Sequence, residues 1–361
     1  MSPKRGVWKG AAIMIGTAVG AGVFAIPYVV AQSGIWIGLL HIVGIGLLML
    51  GVNLMLSEIV LKTKGIHQLT GYAFRYLGKW GRFGMLLSLL IGIYGALVAY
   101  AIGGGQSLTA LFGGSVGAWQ WLFFAAGAVM LFGSTRWFVR SEVVLNAVKV
   151  ILFAVIAVVL FTAFDASHVP LVPASPAAAF APFGVILFAY LAMVAVPEVR
   201  NALGDDKRVV TRAVVLGSLI PIVIYAVFAQ AVIGVSGTST AEVATLGIRE
   251  FGRVGVVLLN LVAVLAMLGA FVAVGTALKS AYRYDYRMPS LLAWLLTIGL
   301  PAIMLLAGKV DFVSVLEVSG GLAGGIGGLL VVLMHHRIHP SWWRTVPTLI
   351  VFVAGIVAVL F

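Results

Sequence analysis

The 361 residues are 62% hydrophobic and 9% charged, with a mean hydropathy of +1.15, far outside the range of water-soluble domains. The net charge of +12 is spread over alternate loops and gathered on no single face, which argues against a nucleic-acid-binding module. There is no cysteine, so disulfides, thiolate metal sites and cysteine nucleophiles are excluded.

Apolar runs long enough to cross a bilayer follow one another along the chain, about eleven in all: 7–33, 35–61, 83–112, 118–135, 142–164, 180–199, 212–235, 254–278, 290–308, 312–334 and 345–361. The connections are short. The expected fold class is therefore all-α and integral to the membrane, as one transmembrane domain. The first run is too long for a signal peptide and lacks a convincing cleavage site. Within it, Gly16, Gly20, Gly22 and Pro27 lie inside twelve residues, a poor composition for a continuous helix. Freed backbone groups find no water in hydrocarbon, so such a break is tolerated where it lines a cavity and a ligand takes up the loose groups. A discontinuous helix that binds something polar is expected there.

Between runs two and three, residues 67–77 place aromatic and charged residues at helical spacing, as in an amphipathic helix lying in the interface. His41, in run two, reads as structural. In run three, Tyr94 and Tyr100 are candidate walls of a pocket. Lys149 sits about seven residues into run five, roughly 10 Å from its end at the rise of an α-helix. A charge at that depth is costly and by default functional, the alternative being a lysine that snorkels to the interface. Run six carries Pro182, Gly184 and Pro197 around residues 188–193 and so resembles run one in kind. Residues 238–249 begin Thr-Ser-Thr, an N-cap pattern, and are expected to form a short lid helix.

Glu317 lies about six residues into run ten, where a proton carrier or an outer-gate residue is expected. The glycine-rich residues 319–325 leave space for a substrate or for close helix contact. Glu58, Glu142 and Glu198, near helix ends, suit gate or loop salt bridges. His335, His336 and His339 cluster without an acidic or cysteine neighbour in sequence, so neither metal nor cofactor is expected.

Two interrupted helices in matching positions of two halves point to a transporter built from inverted repeats. The repeats are expected at about 7–164 and 180–334, with an extra helix at about 345–361. Five spans per repeat make the second inverted relative to the first. Lys and Arg concentrate in alternate loops, beginning with Lys4, Arg5 and Lys9, which places the N-terminus in the cytoplasm of a multi-pass cell-membrane protein. With eleven spans, Phe361 is then extracytoplasmic.

Three stretches carry a family resemblance. Residues 16–27 look like the glycine-rich break of helix 1 in amino acid permeases of the tyrosine/tryptophan and amino acid/auxin type. Pro197-Glu198-Val199-Arg200-Asn201, with the charged residues 205–212, looks like the exit from their helix 6. Residues 270–285 look like the end of helix 8 in aromatic amino acid permeases. The chain thus resembles the amino acid–polyamine–organocation superfamily, which implies the LeuT-type 5+5 inverted-repeat fold with helices 1 and 6 broken. At 361 residues it is short for that group and lacks the twelfth helix of many members.

The resemblance implies an amino acid substrate. A half-helix N-terminus at Gly20, Ala21 and Gly22 suits its carboxylate. Carbonyls of Thr17, Ala18, Phe188 and Ala189 suit its ammonium. Tyr190 is the natural aromatic gate, with Tyr94 or Tyr100 as a wall. Sodium-dependent members of the family hold a cation between helices 1, 5 and 8, and some proton-dependent members place a helix 5 lysine there. Lys149 falls in that region, where it would donate to the carbonyls of Gly16 and Val19, and the helix 8 positions that would supply hydroxyls to sodium are Gly269 and Ala270.

The expected function is secondary transport of amino acids by proton-coupled symport and alternating access. The expected partners are the substrate, the proton and the bilayer, with the chain acting as a monomer. Sodium symport or uncoupled exchange is the alternative within the class, and a channel the alternative outside it, though no filter motif or ring of charge occurs. An enzyme is not expected, because His and Asp do not cluster at membrane depth. No GxxxxGK[ST] loop of a primary pump is present.

Overall fold

The structure, a computed structural model, describes residues 3–133, 149–248, 251–308 and 310–360. The start of run five with Glu142, the basic residues Arg136, Arg140, Arg249 and Lys309, and the terminal Phe361 lie outside the described residues.

Among the described residues the regular structure is entirely helical. The helices are α1 (Pro3–Ala18), α2 (Ala21–Ser33), α3 (Ile35–Lys62), α4 (Leu69–Phe112) and α5 (Val116–Phe132), then α6 (Lys149–Phe161). There follow α7 (Pro182–Ala189), α8 (Ala195–Leu203), α9 (Lys207–Ser236), α10 (Gly252–Tyr284), α11 (Ser290–Ala307), α12 (Phe312–Val318), α13 (Gly325–Ile338) and α14 (Trp342–Leu360). A π-helical turn, Ser319–Gly324, joins α12 to α13 into one crossing. Six described helices are long and apolar enough to cross a membrane, and α1 with α2 makes a seventh crossing bent by 58°. Four shorter apolar helices lie at α5, α6, α7 and α14. The architecture agrees with about eleven crossings in which the first and sixth are broken.

Both breaks have local causes. Gly20 leaves helical geometry at φ −132° and ψ −135°. Its N–H turns to Ala18 O at 3.0 Å, while Val19 N–H still reaches Ile15 O at 2.8 Å. In the sixth crossing the helix is lost from Tyr190 to Val194. Pro182 stands at the start of α7, and Pro197 stands in the first turn of α8. A missing N–H costs little at either place, because the first-turn N–H groups of a helix have no acceptor within it. The prolines therefore mark where each half begins.

The broken crossings lie side by side. α1 packs against α8 and α9, and α2 against α7. α4 and α10 pack together along their length and form the opposite wall, backed by α5 and α11. Small residues on α4 let its neighbours approach: a Cβ on Gly103 would lie 2.9 Å from Met267 Sδ of α10, one on Gly104 would strike the Phe123 ring of α5, and one on Gly95 the Ser319 side chain. Phe24, Phe153 and Phe228 lock α2, α6 and α9 together, with ring centroids 5.4–6.1 Å apart.

One expectation holds and one changes here. Residues 69–77 form a helical segment of their own, set off from the third crossing by Gly78, whose φ of +73° and ψ of −159° are not helical. Asp285, which follows α10, holds the start of α4 by accepting from Gln68 N–H at 3.1 Å, Gly71 N–H at 2.9 Å and Thr70 Oγ1 at 2.5 Å. Residues 238–249 form no lid helix in their described part, only the 3-10 turns Gly237–Ser239 and Ala244–Leu246. Two of the hydroxyls there serve the end of α9 instead of capping a new helix, with Ser239 Oγ donating to Ser236 O and Thr240 Oγ1 to Gly237 O.

Candidate functional site

A cavity of about 50 Å³ lies between the two breaks and α4. Thr17 and Ala18 line it from α1, Phe188 and Leu191 from the sixth crossing, Ala96 and Tyr100 from α4. Tyr100 and Phe188 meet edge to face, with centroids 6.5 Å apart. The rest of the wall is small or aliphatic, including Gly92, Ile93, Val274 and Ala323. Thr17 and Val194 also line a vestibule of about 800 Å³ that opens on the face carrying the N-terminal helix start. Lys9, Lys279, Arg283 and Glu198 stand around that vestibule. On the opposite face the segment after α6 crosses the turn between α2 and α3, pairing Ile35 N–H with Pro170 O and Ala174 N–H with Gln32 O. Glu242, in the loop on that face, has its carboxyl pKa raised by partial burial and then by the Asp311 carboxylate.

The first turn of α2 offers the N–H groups of Ala21 and Gly22, which no helical acceptor can satisfy. Gly20 sits between α10 and α4: a Cβ there would lie 2.8 Å from Ala270 Cβ and 2.9 Å from the Tyr100 hydroxyl oxygen. A phenol thus stands beside a free helix N-terminus, a combination suited to a carboxylate. Gly22 faces elsewhere. A Cβ on it would fall 2.7 Å from Ala189 Cα, so this glycine permits α2 and α7 to touch backbone to backbone. The glycines of residues 319–325 likewise serve contact. Gly320 lies against Gly184 and Phe188, Gly321 and Gly325 against Val359 and Ile356 of α14, and Ala323 lines the cavity.

Of the three candidate tyrosines, Tyr100 lines the cavity as expected and the other two do not. Tyr94 does not line the cavity. Its hydroxyl meets Tyr282 at 2.9 Å and donates to Leu296 O at 2.8 Å, tying α4 to α10 and α11. Tyr100, one face of the helix away, lines it. Tyr190 also turns from the cavity, donating to Ile42 O of α3 at 3.0 Å and meeting Tyr225 at a tilt with centroids 5.0 Å apart. Phe188 is the aromatic group at the sixth-crossing break that faces the cavity. Thr17 lines the cavity, with Oγ1 donating back to Ile13 O at 3.1 Å.

Lys149 is buried at the start of α6, 6% exposed. Its ammonium reaches α10, where a Cβ on Gly269 would lie 2.8 Å from Nζ. Because Gly20 N–H turns to Ala18 O, the Gly16 carbonyl has lost its helical donor. Glu317 is half-buried against Gly184 of α7, and no ion pair joins it among the described residues. On the vestibule face Glu198 accepts from Gln68 Nε2 at 2.7 Å, and Glu58 pairs with His335 at 3.0 Å. His339 meets Lys62 at 2.6 Å. The histidines therefore knit α3 to α13.

Sequence reasoning missed Tyr225 of α9, which is fully buried. Its hydroxyl lies 2.9 Å from Ala18 O and 2.9 Å from Ala189 O, the last carbonyls of α1 and α7. It also missed a second small cavity beside the breaks, where Asn53 Nδ2 donates to Ser218 Oγ at 3.2 Å and Asn53 Oδ1 has no partner among the described residues. A tyrosine or an asparagine inside an apolar run carries no local signal of its partner.

Comparison with solved structures places the fold. A crystal structure of MhsT in complex with L-phenylalanine superposes with a TM-score of 0.71 at 16% identity, over 98% of this chain and 96% of that one. The inward-facing conformation of Mhp1 superposes with a TM-score of 0.65 at 15% identity, over 98% of this chain and 88% of that one. Both show the LeuT-type fold. A curated relative, the tyrosine-specific transport system 2 of Haemophilus influenzae, is 26% identical over 250 residues, which span 65% of this chain and 60% of the relative. The model of the tryptophan/tyrosine permease family matches residues 3–337. With that match over nearly the whole chain, this protein belongs to the tryptophan/tyrosine permease family.

Proposed function

We propose that this protein is a secondary active transporter that moves aromatic amino acids across the cell membrane by alternating access, in symport with protons. The observation that carries the reading is the pair of broken helices side by side, with a cavity between them that meets a vestibule on one face. The first turn of α2 and the Tyr100 hydroxyl receive the carboxylate. Carbonyls at the end of α1 receive the ammonium. The ring lies against Phe188, Val274 and the small residues Gly92, Ala96 and Ala323, a wall without charge. The family's name and that of the tyrosine-specific relative support an aromatic substrate.

Lys149 takes the place of a coupling cation. Its ammonium lies against Gly269, which offers no hydroxyl to a sodium ion, and the Gly16 carbonyl at the end of α1 lacks its helical donor. The basic vestibule face is cytoplasmic by the positive-inside rule, so the structure is open to the inside. The test is uptake into proteoliposomes from a panel of amino acids under imposed gradients. Tyrosine or tryptophan is expected to accumulate when the outside is acid, without sodium. Uptake that needs sodium and ignores pH would overturn the coupling, and no uptake of any aromatic amino acid would overturn the function.

A further inference from the structure

We propose that Tyr225 is a positioning residue whose single hydroxyl hydrogen is shared between the ends of the two broken helices, and that the substrate ammonium resolves the sharing and so releases α1. The inference rests on the substrate site proposed above.

A phenol carries one hydrogen, while two carbonyl oxygens, Ala18 O and Ala189 O, lie at the same 2.9 Å from the Tyr225 oxygen. Only one can receive a full hydrogen bond at a time. The two carbonyls differ in their other prospects. Ala18 O also accepts from Gly20 N–H at 3.0 Å, and Ala18 lines the substrate cavity. Ala189 O has lost its helical donor, because the chain is not helical at Met193, and Ala189 does not line that cavity. A carbonyl oxygen accepts two hydrogen bonds well. An ammonium arriving at Ala18 O therefore displaces the phenol, which turns wholly to Ala189 O. Every group is then satisfied: the ammonium by Ala18, the phenol by Ala189.

The ring cannot follow the substrate. It is fully buried and packed at a tilt against Tyr190, which is itself anchored to Ile42 O of α3. Tyr225 is thus a fixed post on α9. In the empty protein it ties α1 and α7 to that post. In the loaded protein the tie to α1 is gone, and α1, which forms one wall of the vestibule through Lys9, Ile13 and Thr17, is free to swing. Substrate occupancy becomes gate movement through one shared hydrogen, while in the empty carrier the tie slows α1 without locking it, so the return step of symport stays open.

The chain has no native cysteine, so a single Ala277→Cys in the vestibule wall reports access from that face through its rate of modification by a membrane-impermeant thiol reagent. In this background tyrosine is expected to slow modification by about three-fold or more, the size expected for one buried hydrogen bond exchanged. The analogue 3-(4-hydroxyphenyl)propanoate, which lacks the ammonium, is expected to leave the rate unchanged at saturation. Adding Tyr225→Phe is expected to give, without substrate, the slow rate that tyrosine produces, with no further response. A full tyrosine response retained in Tyr225→Phe, or an equal response to the analogue, overturns the role of Tyr225 alone. No response to any aromatic amino acid in the Ala277→Cys background, with no binding, overturns the substrate site as well. Should Tyr225→Phe fail to fold, an experimental structure of the wild-type protein with tyrosine bound decides. The bond to Ala189 O is expected to persist while the distance to Ala18 O exceeds hydrogen-bond range, and both bonds remaining intact overturns the inference.

Discussion

At the scale of single residues, polar groups in the interior divide by what they touch. Tyr94 and Tyr100 lie on the same helix within two turns, yet Tyr94 spends its hydroxyl on Tyr282 and Leu296 while Tyr100 faces the cavity. Tyr100→Phe is expected to raise KM for an aromatic amino acid about five- to ten-fold, as for loss of one buried hydrogen bond of about 1–1.5 kcal/mol. Tyr94→Phe should leave KM within about two-fold while lowering thermal stability by a bond of similar size. Lys149 carries a sharper expectation. Lys149→Ala should abolish gradient-driven accumulation while substrate binding persists. Lys149→Arg should not restore it, because a guanidinium does not release its proton in the physiological range. Accumulation measured in proteoliposomes across a pH gradient checks both, and normal accumulation by Lys149→Ala would leave the lysine a structural anchor.

At the scale of elements, glycine plays two parts that a sequence pattern does not separate. Gly20 ends α1 and opens the N-terminus of α2, whereas Gly22, two residues on, brings α2 onto α7. The Gly22 contact is with backbone, which cannot move aside as a side-chain tip can. Gly22→Ala is therefore expected to cost about 1–3 kcal/mol by overpacking, and Gly22→Leu to yield no folded protein, as read from thermal melting in detergent. The link between α10 and α4 is open to a similar test. Asp285 accepts two backbone N–H groups and a hydroxyl at the start of α4. Asp285→Ala should lower stability by about 1–2 kcal/mol, the range for loss of an N-terminal cap. The amphipathic pattern of residues 67–77 was legible as a helix. What holds it in place was not, because its junction with the third crossing is a non-helical Gly78 at φ +73° and its start is bound by a carboxylate more than two hundred residues away.

At the scale of the whole molecule, the vestibule collects Lys9, Lys279 and Arg283 on the face where α1 begins. A reporter that is active only in the cytoplasm, fused to the N-terminus, is expected to be active. The same reporter at the C-terminus should be silent, since an odd number of crossings puts the ends on opposite sides. Activity at both ends would remove one crossing from the count. The histidines at the end of α13, which lie within five residues of sequence, also belong to this scale. His335 and His339 join Glu58 and Lys62 of α3, while His336 turns to Thr345 at 3.0 Å.

What the amino-acid sequence determined by itself is the membrane, an all-helical fold of many crossings and the two places where a helix must break. Those follow from local physics: about twenty apolar residues span a bilayer, and glycine and proline fail to hold a helix at the positions where they stand. Tertiary structure alone decided which side chains meet at the breaks. Phe188 rather than Tyr190 faces the cavity, Tyr100 rather than Tyr94 walls it, and Tyr225 joins two carbonyls that lie 171 residues apart in the chain, at Ala18 and Ala189. In an apolar helix every face reads alike, so the direction of a tyrosine is settled only when neighbouring helices dock and each buried hydroxyl finds an acceptor.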